Sequence, residues 1–305
     1  MTDELSAQRK RSSAHLNSFL ASNGIELREV IAQIGAIDDA ATAIVGGSVT
    51  DGFANGESDL DVMIIGGADK VLDQRGVMVH ETDHQHATWR LNRDRDIQVV
   101  VYSAEKISNF AKRIAPSLSG AGGDQLYYCN VSELKLLHRL WSGLPVVNSR
   151  VADELVARMR LEKLPRYLLL QKMMNYLALR EDVVGQLEEG HSADAVWMLS
   201  LMMTELVCAL NAALGETNMN GKWQWRLLSL HRDELGAEFM DELWTHRFSN
   251  GGSLQAVAIE GSLDFAEKVA RKIYSLRPTI VPVLRALQKG ILFSDNVGKN
   301  AKGNG

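Results

Sequence analysis

The residues that could do chemistry lie in two short stretches and one isolated acid. Ile44-Val45-Gly46-Gly47-Ser48 comes first; after residues 49–58 follows Asp59-Leu60-Asp61, running on into Val62-Met63-Ile64-Ile65. A strand over Ala43–Val45 would end at two glycines, which let the chain turn tightly with its backbone close to a ligand. Ser48 would then open a short helix over about 49–54, whose unpaired amide N–H groups form an anion site. On a strand, residues i and i+2 point to the same face, so Asp59 and Asp61 project together. Two carboxylates that close repel unless a cation lies between them, and hard oxygen donors suit Mg²⁺. A phosphate cradle beside such a pair is a device for handling a nucleoside triphosphate.

A third acid completes the set. Asp96 precedes Ile97-Gln98-Val99-Val100-Val101-Tyr102, the strongest β signal in the chain. Asp94 lies nearby, but the phase of that strand favours Asp96: Gln98 and Val100 share its face, and Ile97, Val99 and Val101 enter the core. If this strand lies beside Leu60–Ile65, three carboxylates converge, enough for two metal ions.

Other elements must position these groups. Residues 5–35 have helical periodicity interrupted by Gly24, giving two short helices. Val77–His80 and Ala87–Leu91 can pair as a hairpin. A helix over Ala104–Ile114 should stop before Pro116, and Ser117–Gly123 reads as a Gly/Ser-rich loop. Beyond Val131 nearly everything reads helical: about 131–141, 150–180 (kinked or split at Pro165), 192–214, 223–230, 232–246 and 262–287. Ser192 is placed to cap the third of these, and Gly215 to end it. The expected division is 1–148, 149–293 and a polar tail, 294–305. No internal repeat is visible.

Composition excludes much. Apolar residues are 46% and charged residues 23% of 305, with 33 basic against 38 acidic side chains. Bulk disorder and low-complexity architecture are out. A net charge of −5 gives no global attraction to nucleic acid or anionic membrane. Cys129 and Cys208 cannot form a disulfide framework, and no zinc spacing exists. No apolar run follows the charged N-terminus, and Ala195–Gly215 reads as a buried helix rather than a membrane span. The expectation is a cytoplasmic protein.

Gly47-Ser48, Asp59/Asp61 and Asp96, in this order and spacing, resemble the signature of the DNA polymerase β-like nucleotidyltransferase superfamily. The form Gly-Ser…Ala-Asn-Gly-Glu-Ser-Asp-Leu-Asp is most similar to its small-molecule branch (aminoglycoside and lincosamide nucleotidyltransferases) and to minimal nucleotidyltransferases. The resemblance spans about Ala43–Tyr102; Arg95 departs from it, standing where the pattern has an apolar residue. It implies an α+β fold: a nucleotidyltransferase domain with a mixed sheet flanked by helices, then a C-terminal helical bundle. It further implies ATP or another nucleoside triphosphate as substrate, with two Mg²⁺ ions, or Mn²⁺ in their place, on Asp59, Asp61 and Asp96. The acceptor would be a hydroxyl of a small antibiotic-like molecule or a protein rather than long nucleic acid. Asp96 is also a candidate general base.

Weaker signals accompany these. Lys222-Trp223 resembles a segment of the branch's helical domain in which lysine reaches the triphosphate. Glu205 is the one charge in a long apolar stretch, so it should have a basic partner, and it is a second candidate base. Arg90, Arg93 and Arg95 could neutralise phosphate or sit at a solvated hairpin tip. His80, His84 and His86 lie near one another but lack further ligands for zinc. Arg226-x4-His231 fits the loose pattern of HEPN-type ribonucleases, and a non-catalytic nucleotide-binding partner of toxin–antitoxin type is the other alternative. Met173, Met174, Met198, Met202 and Met203 read as core filler.

Overall fold

The computed structural model describes residues 3–34, 38–66, 77–80, 85–90, 95–119, 126–249 and 256–288. The N-terminal periodicity becomes α1 (Asp3–Ser22) and α2 (Leu27–Ile34), parted at Gly24, whose φ of +62° suits glycine. The strands are β1 (Thr42–Gly46), β2 (Leu60–Ile65), β3 (Val77–His80), β4 (Gln85–Arg90), β5 (Asp96–Tyr102) and β6 (Leu144–Val147). They form one mixed sheet in the order β3-β4-β5-β2-β1-β6. β2 and β5 run parallel and every other neighbouring pair is antiparallel.

Alternation along the central strands builds the core. Ala43, Val45, Leu60, Val62, Ile64, Ile97, Val99 and Val101 pack in one cluster with Leu16, Phe19, Leu20, Val30 and Ile34 of α1 and α2. Each of the larger side chains contributes roughly 1.5–3 kcal/mol on burial. Met63, Ile65 and Val100, on the other face, are buried as well. Asp61 is therefore the one residue of β2 that is not buried.

Two features differ from the expectation, and two sharpen it. The helix α3 (Ala104–Ser119) continues through Pro116. A proline removes one N–H there, and Leu118, fully buried, anchors the last turn. Residues 144–147, between the expected helices over 131–141 and 150–180, form β6, which pairs with β1 at the sheet's edge, where Pro145 is tolerated. α4 (Val131–Ser142) begins with a capping box: Asn130 Oδ1 accepts from Glu133 N, and Glu133 Oε2 from Asn130 N, both at 2.9 Å. After α5 (Ser149–Met159) comes a 3₁₀ turn, Leu161–Lys163, so the long helix splits at Pro165 as expected.

The chain divides into two compact units, Met1–Leu118 with Cys129–Lys163, and Ser119–Tyr128 with Leu164–Gly305. The expected boundary at 148/149 lies within the first, because β6 and α5 pack on β1. The second unit is helical: α6 (Leu164–Glu188), α7 (Ser192–Ala213), α8 (Gln224–Leu230), α9 (Arg232–Leu235), α10 (Ala237–Trp244), a π-helical turn Thr245–Ser249, α11 (Ala256–Leu276) and α12 (Val281–Gln288). Pro165 sits in the first turn of α6, where no N–H is needed. α7 packs along α6 and against α11, with Met173, Met174, Met202 and Met203 in the interior. Gly215 (φ +101°) ends α7, its N–H bonding Ala212 O while Glu216 N bonds Asn211 O. Among the described residues α7 is the one helix long and apolar enough to cross a membrane, and half of its most apolar window is buried. The architecture is α+β: a mixed sheet flanked by helices, followed by a helical region. Residues 294–305, the expected tail, lie outside the described residues.

Candidate active site

The parallel register of β2 and β5 aligns Leu60 with Ile97 and Asp61 with Gln98. Asp59 and Asp96 each lie one residue before the first of these pairs, so both sit at the same end of neighbouring strands. Side chains in register point to one face, which groups Asp59, Asp61, Asp96 and Gln98. Gln98 Nε2 donates to Asp59 Oδ2 at 2.7 Å.

The glycine turn borders this face. Gly46 ends β1 opposite Asp61, and Gly47 follows with φ +74°. A Cβ on residue 47 would clash with Asp61, 2.1 Å from its Oδ2 and 2.9 Å from its Cγ. The expected helix over 49–54 is absent. Residues 47–52 make one turn, in which Asp51 N bonds Gly47 O, Gly52 N bonds Val49 O and Phe53 N bonds Ser48 O. The last two are a Schellman closure around Gly52 (φ +74°), and this termination is why no helix propagates. The anion-binding expectation therefore rests on a single turn rather than on a helix N-terminus. Ser48 Oγ has no hydrogen-bond partner among the described residues.

Neighbouring elements fix the turn. His15 Nδ1 of α1 lies 3.0 Å from Thr50 O, and His138 Nε2 of α4 lies 3.0 and 3.2 Å from the Asp51 carboxylate oxygens. Ser142 Oγ approaches the same His138 nitrogen at 3.2 Å. A nucleophilic triad needs its acid and its serine on opposite ring nitrogens, so this trio has a holding role. Arg95, a candidate phosphate neutraliser, instead donates from Nε to Asn23 Oδ1 (2.9 Å) and from Nη1 to Gly56 O (2.6 Å), tying down the segment before Asp59.

Sequence reasoning missed Arg139. Its Nη2 donates to Asp61 Oδ1 at 2.7 Å. The available signal was a basic pair, His138-Arg139, set among Leu134, Leu136, Leu137, Leu140 and Trp141 on one helix. The same reasoning, a charge in an apolar helix, had singled out Glu205.

The donors suit a hard divalent cation in kind: they are carboxylates, one of them seated in a recess that only glycine leaves open. Asp59 is engaged by Gln98 and Asp61 by Arg139. Among the described residues, no three His, Cys, Asp or Glu side chains gather closely enough to hold a metal ion.

In the second unit, Lys222 Nζ lies 4.9 Å above the Trp223 ring, with the Arg226 guanidinium 6.0 Å from it. Glu205 has the expected basic partner: Lys172 Nζ at 3.0 Å, plus Asn175 Nδ2 at 2.9 Å. Burial, and then the charge of Glu205, raises the Tyr128 hydroxyl pKa. His231 Nε2 is 2.9 Å from Glu216 Oε1. His80 and His86 lie on β3 and β4, whereas His84, Arg93 and Asp94 lie outside the described residues.

No family model matches the chain, and no curated protein matches it. Among solved structures, a nucleotidyltransferase-like protein from Exiguobacterium sibiricum 255-15 aligns over 80% of this chain and 73% of its own, with 13% identity and a TM-score of 0.41.

Proposed function

We propose that the protein is a nucleotidyltransferase that moves a nucleoside monophosphate from a triphosphate to an acceptor hydroxyl, on a small molecule or a protein. The observation that carries this reading is the parallel β2–β5 register, which sets Asp59, Asp61 and Asp96 on one face beside the Gly46-Gly47-Ser48 turn. Asp59, Asp61 and Asp96 would hold Mg²⁺, which when bound neutralises phosphate charge and makes the acceptor hydroxyl more acidic. Gln98 orients Asp59 through its amide. Ser48 Oγ and the Gly47 backbone offer hydrogen bonds to phosphate oxygens. Asp96 takes the acceptor's proton. The acceptor oxygen bonds to the α-phosphorus as the bond to the bridging oxygen breaks, and pyrophosphate leaves. Lys222, exposed on the second unit, is proposed as a further triphosphate contact.

The test is pyrophosphate release from ATP, CTP, GTP and UTP with Mg²⁺ and a panel of hydroxyl acceptors, products being read by mass shift. Asp59→Asn and Asp61→Asn should each abolish release while the circular dichroism spectrum stays intact. Full activity in either variant refutes the assignment, and nucleotide retained without turnover points to a regulatory binding protein instead.

A further inference from the structure

α4 delivers one cation to the acid pair. Arg139 and Asp61 form an ion pair whose side chains are 19% and 23% exposed. Its path is cleared by two glycines. A Cβ on residue 46 would come within 3.1 Å of Arg139 Cγ, and one on residue 47 would strike the Asp61 carboxylate. A single ion pair thus fills the space beside both residues of the Gly46-Gly47 turn. The root of the arginine is fixed by the α4 capping box, by the adjoining His138–Asp51 pair and by packing of α4 on β1. Its guanidinium lies at the end of a stem with several rotatable bonds.

A guanidinium and a divalent cation make the same demand on Asp61, its negative charge and its lone pairs, and they repel each other. We propose that Arg139 is a positioning residue that acts as the internal counter-ion of Asp61. It holds the carboxylate against Gly47 and yields it when a divalent cation binds. This inference rests on the nucleotidyl-transfer reading in taking Asp59 and Asp61 as the cation's ligands. Its distinguishing consequence is a gain: removing the arginine's charge should strengthen metal binding, whereas a merely structural role could only weaken it.

The experiment is a titration of the full chain with Mn²⁺ alone, free Mn²⁺ being read by electron paramagnetic resonance. Arg139→Gln and Arg139→Met both keep the stem that packs over Gly46, so either serves if the other folds poorly. Each should bind Mn²⁺ about tenfold more tightly than the wild type, the equivalent of one charge-assisted hydrogen bond. The gain should vanish in the Asp61→Asn background. Lys135→Gln, which removes an exposed cation from the same helix, should leave binding within about twofold of wild type, as expected for a solvent-screened charge. Unchanged or weaker binding in both arginine variants overturns the proposal, as does a gain that persists without Asp61 or is matched by Lys135→Gln. If wild type binds Mn²⁺ and Asp61→Asn loses it while the arginine variants show no gain, the counter-ion role alone fails. If wild type binds none, the metal-ligand assignment of the acids falls, and this inference with it.

Discussion

Gly47→Ala tests the contact between the glycine turn and the acid pair. Two costs combine. Residue 47 holds a φ of +74°, where a side chain costs roughly 1–2 kcal/mol. The added methyl would also lie only 2.1 Å from Asp61 Oδ2, and dislodging that carboxylate from Arg139 forfeits a charge-assisted hydrogen bond of about 1.5–3 kcal/mol. The sum, about 2.5–5 kcal/mol, is a large share of the 5–15 kcal/mol typical of a folded domain. Gly24→Ala separates the two costs, because residue 24 has a comparable φ of +62° with nothing within 4 Å of its Cβ position. It should lose only the backbone part. Stability is read by urea titration with hydrogen exchange resolved on β1 and β2 peptides. In an Asp61→Ala background the Gly47→Ala loss should shrink to the Gly24→Ala value. Equal losses at residues 47 and 24 in the wild-type background, or an unchanged Gly47→Ala loss without Asp61, would refute the reasoning.

Further outcomes are expected. Lys172→Met should destabilise the helical unit by about 3 kcal/mol, since it strands the half-buried Glu205 charge; adding Glu205→Leu should recover much of that loss in thermal unfolding. Both cysteines are buried, and burial lifts the Cys208 thiol to about 12, so neither should react with a thiol reagent at pH 8 until the protein unfolds. Burial also lowers the pKa of His246, which stacks on Phe265 at 4.5 Å. The unfolded chain then binds the proton more tightly, so this contribution to stability is present above pH 6.5 and is lost as pH falls below it. His246→Phe should flatten that part of the acid limb of the stability–pH curve.

The sheet was largely legible because its central strands are apolar runs between turns, and the phase of β5 foretold which residues enter the core. Ile97, Val99 and Val101 are buried, and Gln98 is exposed beside Asp59. β6 was hidden because Leu-Pro-Val-Val is short and its proline argues against a strand, an objection that lapses at an edge. Pro116 misled in the reverse direction, since one lost bond late in a helix is offset by packing of Leu118. That Asp59 and Asp96 precede neighbouring strands at the same end was readable from spacing alone. What could not be read was their company: Arg139 lies far along the chain from Asp61, and only tertiary packing brings α4 over Gly46. The glycines, read as making room for a ligand, make room for that ion pair.

The parallel pairing of β2 with β5 has a consequence for how the chain can vary. The alignment of Asp59 and Asp61 with Asp96 is set by the β2–β5 ladder itself, from Leu60–Ile97 to Ile65–Tyr102, and not by the length of the connection between them. That connection, residues 66–95, includes the β3–β4 hairpin and must span the full length of a strand to return the chain to the same end. It is therefore long by necessity, and within it β3 and β4 are held in the sheet, β4 pairing with β5. A change of length between β2 and β3 therefore leaves the β2–β5 ladder, and with it the alignment of the carboxylates, as it is.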